Sequence, residues 1–544
     1  MDAKYGHCLA NPEPVSWEMA DKVRQVTQSS SNGDEAVVCL LKSPALLKAF
    51  ALSTLTAPPI GIAYLAGTLR SAGIAYQVVD AVGEALDQLL PLEFCDGYAI
   101  GLTMDEIVER IDPHTDVIGL SCMFSSSWPY DRRLIAKIRQ RFPNARIVLG
   151  GEHATACADY ILETSPEVDI CVLGEGEEIL LELIGALRGG AELSEVRGLA
   201  FRENGAIRHT ERRKRIRDID AIPVPDWSQV PIDNYMTRGL GHGIANLRSM
   251  PLMATRGCPY QCTFCSSPMM WTTRWIARTP AAVVDEMESY IERYGAENFD
   301  LYDLTAIIKK DWIVAFAQEI LRRGLKIEYQ LPSGTRSEAI DEEVSELLYR
   351  SGCRQMNYAP ESGSPGTLAR IKKKVKLPRL EESLRGACRH KLKVMVNIIF
   401  FPDDTLQDVV ATFKFMLRCS WLGLHDIAFV PYVPYPGAEL YNQMVKDGRL
   451  PPLGEEYFMG LLTHSDISSA KSYNPRFSAR QVQWIRLAFL ALFYSSSYLF
   501  RPHRIYLNIR NVVRNTPTTR GERTFRLLVL RLLKIFGDRR ARHA

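Results

Sequence analysis

The sequence predicts an α/β protein in which a doubly wound parallel sheet is followed by a partial (β/α)6 barrel and a C-terminal helical segment. Short apolar runs alternate with helical segments between residues 36 and 190, and this alternation resumes near residue 250 and continues to about residue 450. Strands buried on both faces are continuous apolar runs, and strands that alternate with helices form parallel sheets. At 544 residues the chain is longer than one hydrophobic core usually organises, so two or three domains are expected.

Five apolar runs predict the first sheet. They are Val37–Leu41, Tyr76–Asp80, Asp116–Ser121, Arg146–Gly151 and Val168–Gly174. A parallel sheet of this kind binds ligands at the carboxyl ends of its strands, near the point where the strand order reverses. Small or polar residues occupy those ends, and we predict that they form a ligand site: Ser121, Gly150, Gly151, His153, Gly174, Glu175 and Gly176.

Six further apolar runs predict the partial barrel. They lie near residues 252–255, 299–303, 326–330, 355–359, 394–399 and 426–430. The active site of such a barrel lies at the carboxyl ends of its strands. Four polar residues that leave those ends are candidate site residues: Asp303, Arg336, Glu361 and Ser362.

A cysteine motif follows the first predicted barrel strand. Cys258, Cys262 and Cys265 place three thiols within eight residues, in the pattern CxxxCxxC. Three thiolates can hold a [4Fe-4S] cluster and leave one iron free to bind another molecule. A structural zinc knuckle or three unrelated buried thiols are the alternatives. Zinc would require a fourth nearby ligand, and Cys265 is followed by Ser-Ser-Pro.

The cysteine loop resembles that of the radical S-adenosylmethionine (SAM) superfamily. In that superfamily the open iron chelates SAM, whose reductive cleavage gives a 5′-deoxyadenosyl radical. The segments Pro58–Gly61, Gly150–Thr155 and Gly174–Glu178, which precede the loop, resemble the cobalamin-binding domain of cobalamin-dependent radical SAM enzymes. The resemblance covers about residues 36 to 190, and bare glycines would let the backbone approach a large planar ligand. It implies three cofactors, namely a [4Fe-4S] cluster, SAM and cobalamin.

The resemblance also implies roles for the candidate residues. The three cysteines would hold the cluster, the residues at the ends of the first sheet would contact cobalamin, Glu361 and Ser362 would line the SAM pocket, and Asp303 and Arg336 would border the cavity. Leu41–Pro44 stands where many cobalamin proteins carry an Asp-x-His-x-x-Gly motif, so no lower cobalt ligand is expected from that loop. We expect His153 to form a hydrogen bond or to pack near the corrin rather than to ligate cobalt.

One loop departs from the pattern of the relatives. Phe400–Thr405 stands where they commonly carry Gly-x-Pro-Gly-Glu-Thr. Because glycines permit close backbone approach, their loss makes the contact of this loop with a cofactor doubtful.

The predicted domain organisation has five parts. They are an N-terminal extension (1–35), a Rossmann-like cobalamin-binding domain (36–190), a linker (191–245), a radical SAM barrel (246–450) and a C-terminal helical basic region (451–544). The linker contains the charge run Glu211–Arg217, which is typical of a solvated face. Ser478 is the expected N-cap of a helix, with Gln481 completing a capping box.

The C-terminal region has two interpretations. Trp484 to Phe500 is strongly apolar, and Thr524 to Phe536 carries apolar residues between arginines. The region would be a helical cap over the barrel with a solvated basic tail, or a basic amphipathic segment that touches anionic lipid or an apolar substrate.

Composition limits the partners and the compartment. The 66 Lys and Arg residues nearly balance 63 Asp and Glu residues, so no nucleic-acid partner is expected. The sequence shows no signal-peptide pattern and no apolar run of the ~18 residues that a membrane span needs, which predicts a cytoplasmic protein. Twelve cysteines scattered over the chain do not form a disulfide framework, and a reducing cytosol suits an iron-sulfur cluster.

The resemblance implies a methyltransferase. It would move a methyl group from SAM through methylcobalamin to an unactivated carbon, or to a phosphinate phosphorus, of a small molecule in secondary metabolism. The electron donor would be a flavodoxin or a ferredoxin. An anaerobic cyclase of the Mg-protoporphyrin monomethyl ester type is the alternative enzyme. A methylthiotransferase would carry further cluster cysteines in an N-terminal domain, and a carrier or sensor of cobalamin or clusters would form no 5′-deoxyadenosine.

Overall fold

The computed structural model describes residues 37–48, 51, 56–244, 247–464 and 466–526. The predicted extension 1–35 lies outside the described residues, and so does the apolar run that ends at Phe536, except for its first three residues.

The first sheet confirms the five predicted parallel strands and adds two antiparallel ones. Its strands, in spatial order, are Ala206–His209, Leu199–Glu203, Ile170–Val172, Arg146–Gly150, Thr115–Ser121, Val37–Lys42 and Tyr76–Asp80. The strand order reverses between Val37–Lys42 and Thr115–Ser121, which makes their carboxyl ends the expected ligand site. The two antiparallel strands form a hairpin in the segment that the sequence predicted to be a linker.

The apolar runs of this sheet are buried on both faces. Val38 and Leu40 belong to one hydrophobic cluster, and Cys39 and Leu41 belong to another. Successive strand residues point to opposite faces, so a continuous apolar run fits a strand with helices on both sides. The helices of this half are Ile60–Ser71, Ala81–Glu84, Met104–Arg110, Trp128–Arg141, Glu152–Ala156, Ala158–Thr164 and Gly176–Gly189. A separate antiparallel sheet contains Ala45–Leu47, Tyr98–Ile100 and Leu89–Pro91.

The barrel half confirms the six predicted strands. In spatial order, which is also chain order, they are Ser249–Leu252, Asn298–Leu301, Glu328–Thr335, Cys353–Glu361, Lys393–Phe400 and Asp426–Pro431. Each strand pairs in parallel with the next. Within the described residues the first strand does not pair with the last, so the barrel is partial and open at that side.

Helices follow the barrel strands. They are Pro280–Tyr294, Lys310–Arg323, Glu342–Arg350, Pro365–Arg370, Leu377–Arg389 and Leu406–Leu422. Gly295 and Gly324 adopt left-handed conformations, with φ of +62° and +67°, directly after two of these helices. A glycine in this conformation terminates a helix without steric cost.

The C-terminal helix Ala479–Phe500 packs on the last barrel strand at the open side, and His503–Arg514 packs against that helix. Two shorter helices precede them, Glu439–Lys446 and Glu455–Gly460, and the second of these packs against Trp128–Arg141 of the first half. The predicted capping box is present, because Gln481 N donates to Ser478 Oγ at 3.3 Å and Ser478 N donates to Gln481 Oε1 at 2.8 Å. Phe489 packs against Phe429 of the last strand, with ring centroids 4.5 Å apart. No helix in the described part of the chain is both long enough and apolar enough to cross a membrane.

The remaining elements are short. They are helices Ile232–Thr237 and Ser267–Trp271, the strand pair Thr255–Arg256 and Ile276–Ala277, and 3-10 turns at Ser125–Ser127, Leu193–Glu195, Ser337–Ala339 and Leu461–His464.

The segment that joins the two halves contacts both of them. Asp226 accepts a hydrogen bond from Tyr76 Oη at 2.5 Å on the side of the first sheet. Trp227 is 1% exposed, and its indole Nε1 donates to Tyr290 Oη at 3.0 Å on the side of the barrel. The joining segment is therefore a fixed strap between the two halves.

Candidate functional site

The carboxyl ends of two central strands form the candidate cobalamin surface. Ser121 is the register partner of Gly150 in neighbouring strands. Gly151 has a φ of +111°, and a Cβ there would lie 2.7 Å from the carbonyl oxygen of Cys122. A Cβ on Gly150 would meet nothing within 4 Å, so a flat ligand has room to approach the backbone there. Phe124, in the loop that follows Ser121, is 43% exposed and offers apolar surface.

The two glycines are expected to respond differently to alanine. Gly151→Ala should destabilise the protein by about 1–3 kcal/mol, because the new methyl group has no space and φ is positive. Gly150→Ala should leave the unfolding temperature unchanged but lower cobalamin retention after gel filtration, since its methyl group enters the proposed binding surface. Unchanged cobalamin retention in the folded Gly150→Ala protein would contradict the placement of cobalamin on this surface.

His153 is buried beneath this surface. It is 1% exposed, and its Nδ1 lies 2.9 Å from Ser125 Oγ. Its ring packs against Trp128 and Phe458, at centroid distances of 5.3 and 5.4 Å. Burial lowers the pKa of His153 to about 3, so the ring is neutral. In the protein alone, His153 therefore supports the loop by packing and by one hydrogen bond.

The glycine-rich loop after the last parallel strand turns into a helix. Gly174 has a φ of +100°, and its backbone N donates to Thr155 Oγ1 at 3.1 Å. The helix begins at Gly176 with Glu175 at its N-cap position. Acidic residues at a helix N-terminus are favoured by the helix dipole, but the carboxylate of Glu175 has further partners.

Glu175 and Glu177 join the glycine-rich loop to the cluster loop through buried ion pairs. Arg256, two residues before Cys258, donates to Glu177 Oε1 at 2.6 Å and to Glu175 Oε1 at 3.2 Å. Arg215 donates to Glu175 Oε2 at 2.6 Å. The Arg256 side chain is 5% exposed and lies over the ring of Tyr64 at 5.0 Å. Glu175 is thus engaged in joining the two halves.

The charge run in the linker is only in part the solvated face that the sequence predicted, because Glu211, Arg212, Lys214 and Arg217 are exposed but the two arginines between them are not. The side chain of Arg215 is 7% exposed, and that of Arg213 is 20% exposed. Arg213 pairs with Glu178 and Glu182 of the helix that follows the glycine-rich loop. The sequence pattern was misleading because the acidic partners lie on another element of the same half.

The three candidate cluster cysteines lie on one half-buried loop beside the candidate cobalamin surface. Cys265 N donates to the carbonyl of Cys262 at 3.1 Å, which turns the loop back on itself. Burial raises the pKa of Cys265 to about 12. Ser266 donates a hydrogen bond to Glu152, which follows Gly151 directly. The two loops that the sequence predicted to bind different cofactors therefore touch each other.

Glu361, Arg336 and Lys373 meet on the barrel side of the cysteine loop. Glu361 Oε1 accepts a hydrogen bond from Lys373 Nζ at 3.0 Å, and both side chains are at least 88% buried, with exposures of 8% and 12%. Glu361 has a φ of +69°, which is unusual for a side chain with a Cβ and recurs at functional sites. The guanidinium of Arg336 lies 3.9 Å from the ring centroid of Tyr260, in the cysteine loop.

Sequence reasoning missed Lys373 and Tyr260. Lys373 belongs to the basic run 372–374, which is typical of a solvent-exposed turn. No spacing rule links it to Glu361 or to Cys262, although its charge acts on both. Tyr260 lies inside the cysteine motif, where only the thiols carry a spacing signal.

Asp303 and Ser362 have structural partners in this structure. Asp303 is 1% exposed and accepts hydrogen bonds from the backbone of Ala254 at 3.3 Å and of Thr255. Burial raises its pKa to about 6. Ser362 Oγ lies 3.2 Å from Thr412 Oγ1 and accepts from Ser364 N at 3.1 Å. Both residues hold the backbone at the edge of the site.

Phe400 and Asp403 stand at the two positions where the relatives carry glycine in this loop. Phe400 is 4% exposed, and its ring packs against Phe477 with centroids 5.5 Å apart, so glycine would leave a gap there. Phe401, the next residue, is 2% exposed and packs against Phe264 of the cysteine loop with centroids 5.4 Å apart.

The residues present fit two of the implied cofactors, cobalamin and SAM, by their chemistry. Gly150 leaves open space beside exposed apolar side chains, as a corrin ring requires. The Nε of Arg336 is buried without a hydrogen-bond partner, and a carboxylate such as that of SAM would satisfy it. Among the described side chains, no three His, Cys, Asp or Glu residues are arranged to hold a metal ion. The assignment of Cys258, Cys262 and Cys265 therefore remains a prediction from their spacing.

Comparison with known proteins agrees with this organisation. Residues 49–184 match the B12 binding domain, and residues 252–416 match the radical SAM superfamily. An uncharacterized methyltransferase of Pyrococcus horikoshii is 30% identical over 397 residues, which cover 73% of this chain and 80% of that protein. The anaerobic magnesium-protoporphyrin IX monomethyl ester cyclase of Cereibacter sphaeroides is 28% identical over 71% of this chain and 60% of its own.

A solved structure shares the fold. The radical S-adenosylmethionine methyltransferase TsrM from Kitasatospora setae superposes with a TM-score of 0.58 at 18% identity, over 76% of this chain and 75% of that one. The match of both domains and the relative from Pyrococcus confirm the family that the cysteine and glycine motifs predicted. The cofactors of that family are cobalamin, SAM and a [4Fe-4S] cluster. The chain belongs to the cobalamin-dependent radical SAM enzymes.

Proposed function

We propose that this protein is a cobalamin-dependent radical SAM methyltransferase that methylates an unactivated carbon, or a phosphinate phosphorus, of a small molecule in secondary metabolism. The observation that carries the proposal is the junction between the two halves. Arg256 ties the cysteine loop to Glu175 and Glu177, and Ser266 ties it to Glu152. A substrate between the two loops would reach both cofactors.

The bound cofactors would supply the chemistry, with a carbon radical generated from SAM at the cluster and a methyl group carried by cobalamin. The protein would supply position. Cys258, Cys262 and Cys265 would bind the cluster, and Arg336 and Lys373 would bind the carboxylate of SAM beside Tyr260. The surface around Ser121, Gly150, Gly151, Gly174 and Gly176 would seat cobalamin. His153, Glu175, Asp303 and Ser362 would hold these loops in place. Glu361 would orient Lys373.

Methyl transfer is tested with SAM that carries a labelled methyl group. The protein is reconstituted anaerobically with iron, sulfide and cobalamin, reduced, and supplied with candidate substrates. We expect label in the product together with 5′-deoxyadenosine. Formation of 5′-deoxyadenosine with a product that gains a ring or an oxygen, but no label, would refute methyl transfer.

The cyclase is the second candidate, and it rests on the likeness to the Cereibacter enzyme and on the apolar C-terminal helices. The label separates the two reactions, because ring closure leaves no methyl group from SAM in the product. An assay in which no 5′-deoxyadenosine forms would instead indicate a carrier or sensor.

The partners and the compartment follow from the proposed chemistry. A flavodoxin or ferredoxin would deliver the electron, and the reduced cytoplasm would preserve the cluster. The helix His503–Arg514 exposes Ile509 and Val513, 57% and 79% exposed, beside basic residues. This supports peripheral contact of the C-terminal region with anionic lipid, for which sedimentation with anionic vesicles is the test.

A further inference from the structure

A large cavity lies between the last two barrel strands and the C-terminal helices. Its volume is about 1440 Å³, which exceeds the ~300–1,000 Å³ of usual small-molecule sites. Its walls come from Lys393–Phe400, Asp426–Pro431, Ala479–Phe500 and His503–Arg514. Glu361, at the proposed SAM pocket, lines one end of it.

The side chains along the middle of the cavity are mainly apolar. The strand Lys393–Phe400 contributes Met395, Ile399 and the polar Asn397 between them, and these residues alternate with residues that pack into the hydrophobic core. The last strand contributes Ala428 and Val430, and the helix opposite contributes Leu490. A wall of this kind favours the apolar part of a ligand and offers few hydrogen-bond partners to a polar ligand.

Three basic residues at the other end form what we call the cationic cluster: Lys393, Arg501 and Arg504. In the described part of the chain, no carboxylate lies within salt-bridge distance of any of them. Arg501 donates to the carbonyls of Ser420 and Trp421, at 3.0 and 2.9 Å. Arg504 donates to the carbonyls of Gly423 and Leu424, both at 2.7 Å. Their charges are therefore uncompensated by an acid in direct contact.

The pKa values of two members of the cationic cluster are lowered. Burial, followed by the charge of Arg501, lowers the pKa of Arg504 to about 10. Burial lowers the pKa of Lys393, and Glu522 only partly opposes this effect. A buried cluster of cations gains stability when an anion binds among them. Arg501 also caps carbonyls in the last turn of the helix Leu406–Leu422, and Arg504 holds the two residues that follow it. Among the described residues Lys393 makes no such hydrogen bond to a carbonyl, so its replacement tests the contact with the ligand alone.

Lys393 of the cationic cluster and Glu361 lie at opposite ends of two neighbouring parallel strands, Lys393–Phe400 and Cys353–Glu361. Glu361 is the register partner of Ile398, and Lys393 lies five residues earlier in that strand. At ~3.3 Å per residue, the two ends are roughly 16 Å apart. A molecule anchored at Lys393 must be extended to reach the SAM pocket.

We propose that this cavity binds the substrate, and that the substrate is an amphiphilic anion. Its carboxylate or phosphate group contacts the cationic cluster, and its apolar body extends along the last two strands toward Glu361. The apolar end is then the part presented for reaction. The inference that the cavity binds such an anion does not depend on the proposed methyltransferase function. Only the inference that this anion is the substrate rests on that function.

The test is equilibrium dialysis of radiolabelled decanoate against the full-length, anaerobically reconstituted protein. We expect saturable binding of one decanoate per chain, with competition by decyl phosphate and weak competition by acetate or 1-decanol. Lys393→Met should weaken binding about tenfold through the loss of one charge-assisted contact, and Lys393→Arg should restore most of it. Lys414→Met is the matched control, because it removes an exposed lysine from the helix Leu406–Leu422. It should bind decanoate like the unaltered protein.

A second variant tests the apolar wall. Ala428→Phe fills part of the cavity and should abolish decanoate binding, while thermal unfolding shows whether the variant is folded. Binding that is not saturable, or that Lys393→Met leaves unchanged, would overturn the proposal. Competition by acetate as strong as that by decyl phosphate would also overturn the proposal, since it would indicate an anion site to which the apolar part of the ligand contributes nothing. Decanoate binding without any transfer of labelled methyl from SAM to a bound amphiphile would leave the cavity assigned and overturn its role as the substrate site, whereas the methyltransferase function itself is refuted only by an unlabelled product.

Discussion

Replacing any one of Cys258, Cys262 or Cys265 by alanine is expected to abolish SAM cleavage. Each thiol would supply one of three protein bonds to the cluster, and two bonds would not hold it with one iron open for SAM. The anaerobically reconstituted variants should lose the brown colour of the cluster and most of their iron. They should also form no 5′-deoxyadenosine, measured by chromatography after reduction with dithionite.

Cys95→Ala is the matched control, because Cys95 is a half-buried thiol in the first half of the chain, away from the cysteine loop. It should retain iron and activity. SAM cleavage that persists in a Cys262→Ala protein would contradict the placement of the cluster on this loop. Binding of zinc in place of iron would support a structural zinc knuckle.

Replacing Arg256 by methionine is expected to lower the free energy of unfolding by about 3–5 kcal/mol. The change leaves Glu177 buried without its ion-pair partner, and leaves Glu175 with Arg215 alone. Burial raises the pKa of Glu177, but the charge and hydrogen bond of Arg256 outweigh burial and hold that pKa below its usual value. Urea unfolding at neutral pH measures the loss.

The ion pair of Arg256 with Glu177 also predicts how the free energy of unfolding depends on pH. A carboxylate with a lowered pKa in the folded state stabilises the protein above its unfolded pKa, and this stability is lost as the pH falls through the folded value. The difference between Arg256→Met and the unaltered protein should therefore shrink below about pH 4. Arg208→Met, which removes an exposed partner of Glu203, should change stability by about 0–1 kcal/mol. An equally small effect of Arg256→Met would show that the buried pair does not hold the two halves together.

The parallel strands of both sheets could be predicted from the sequence because each is a short, largely apolar run. The hairpin Leu199–Glu203 and Ala206–His209 was not predicted. Its second strand is mostly exposed and polar, so it carries no apolar run, and the pairing depends on the edge of the first sheet. A strand at an edge is specified by its neighbour more than by its own composition.

The candidate site was predictable where one short segment carries the signal. The spacing of the cysteines and the glycines at the strand ends is local, and both can be identified in the sequence. The pair Arg256 and Glu177 is separated by 79 residues, and no local pattern records that separation. The contact of Lys373 with Glu361 also leaves no local pattern in the sequence, because only the folded barrel brings the basic turn over the end of the strand.

The strap between the two halves has a consequence for how molecules enter. Asp226 and Trp227 hold it to both sides, and Tyr235 donates to Asp80 Oδ2 at 2.7 Å, so the two halves are not free to swing apart like a hinge. The open side of the barrel between Ser249–Leu252 and Asp426–Pro431 is the other way into its interior, and Phe489 of the C-terminal helix packs there against Phe429 of the last strand. A small molecule that enters on this side would need movement of that helix and no rotation of the two halves.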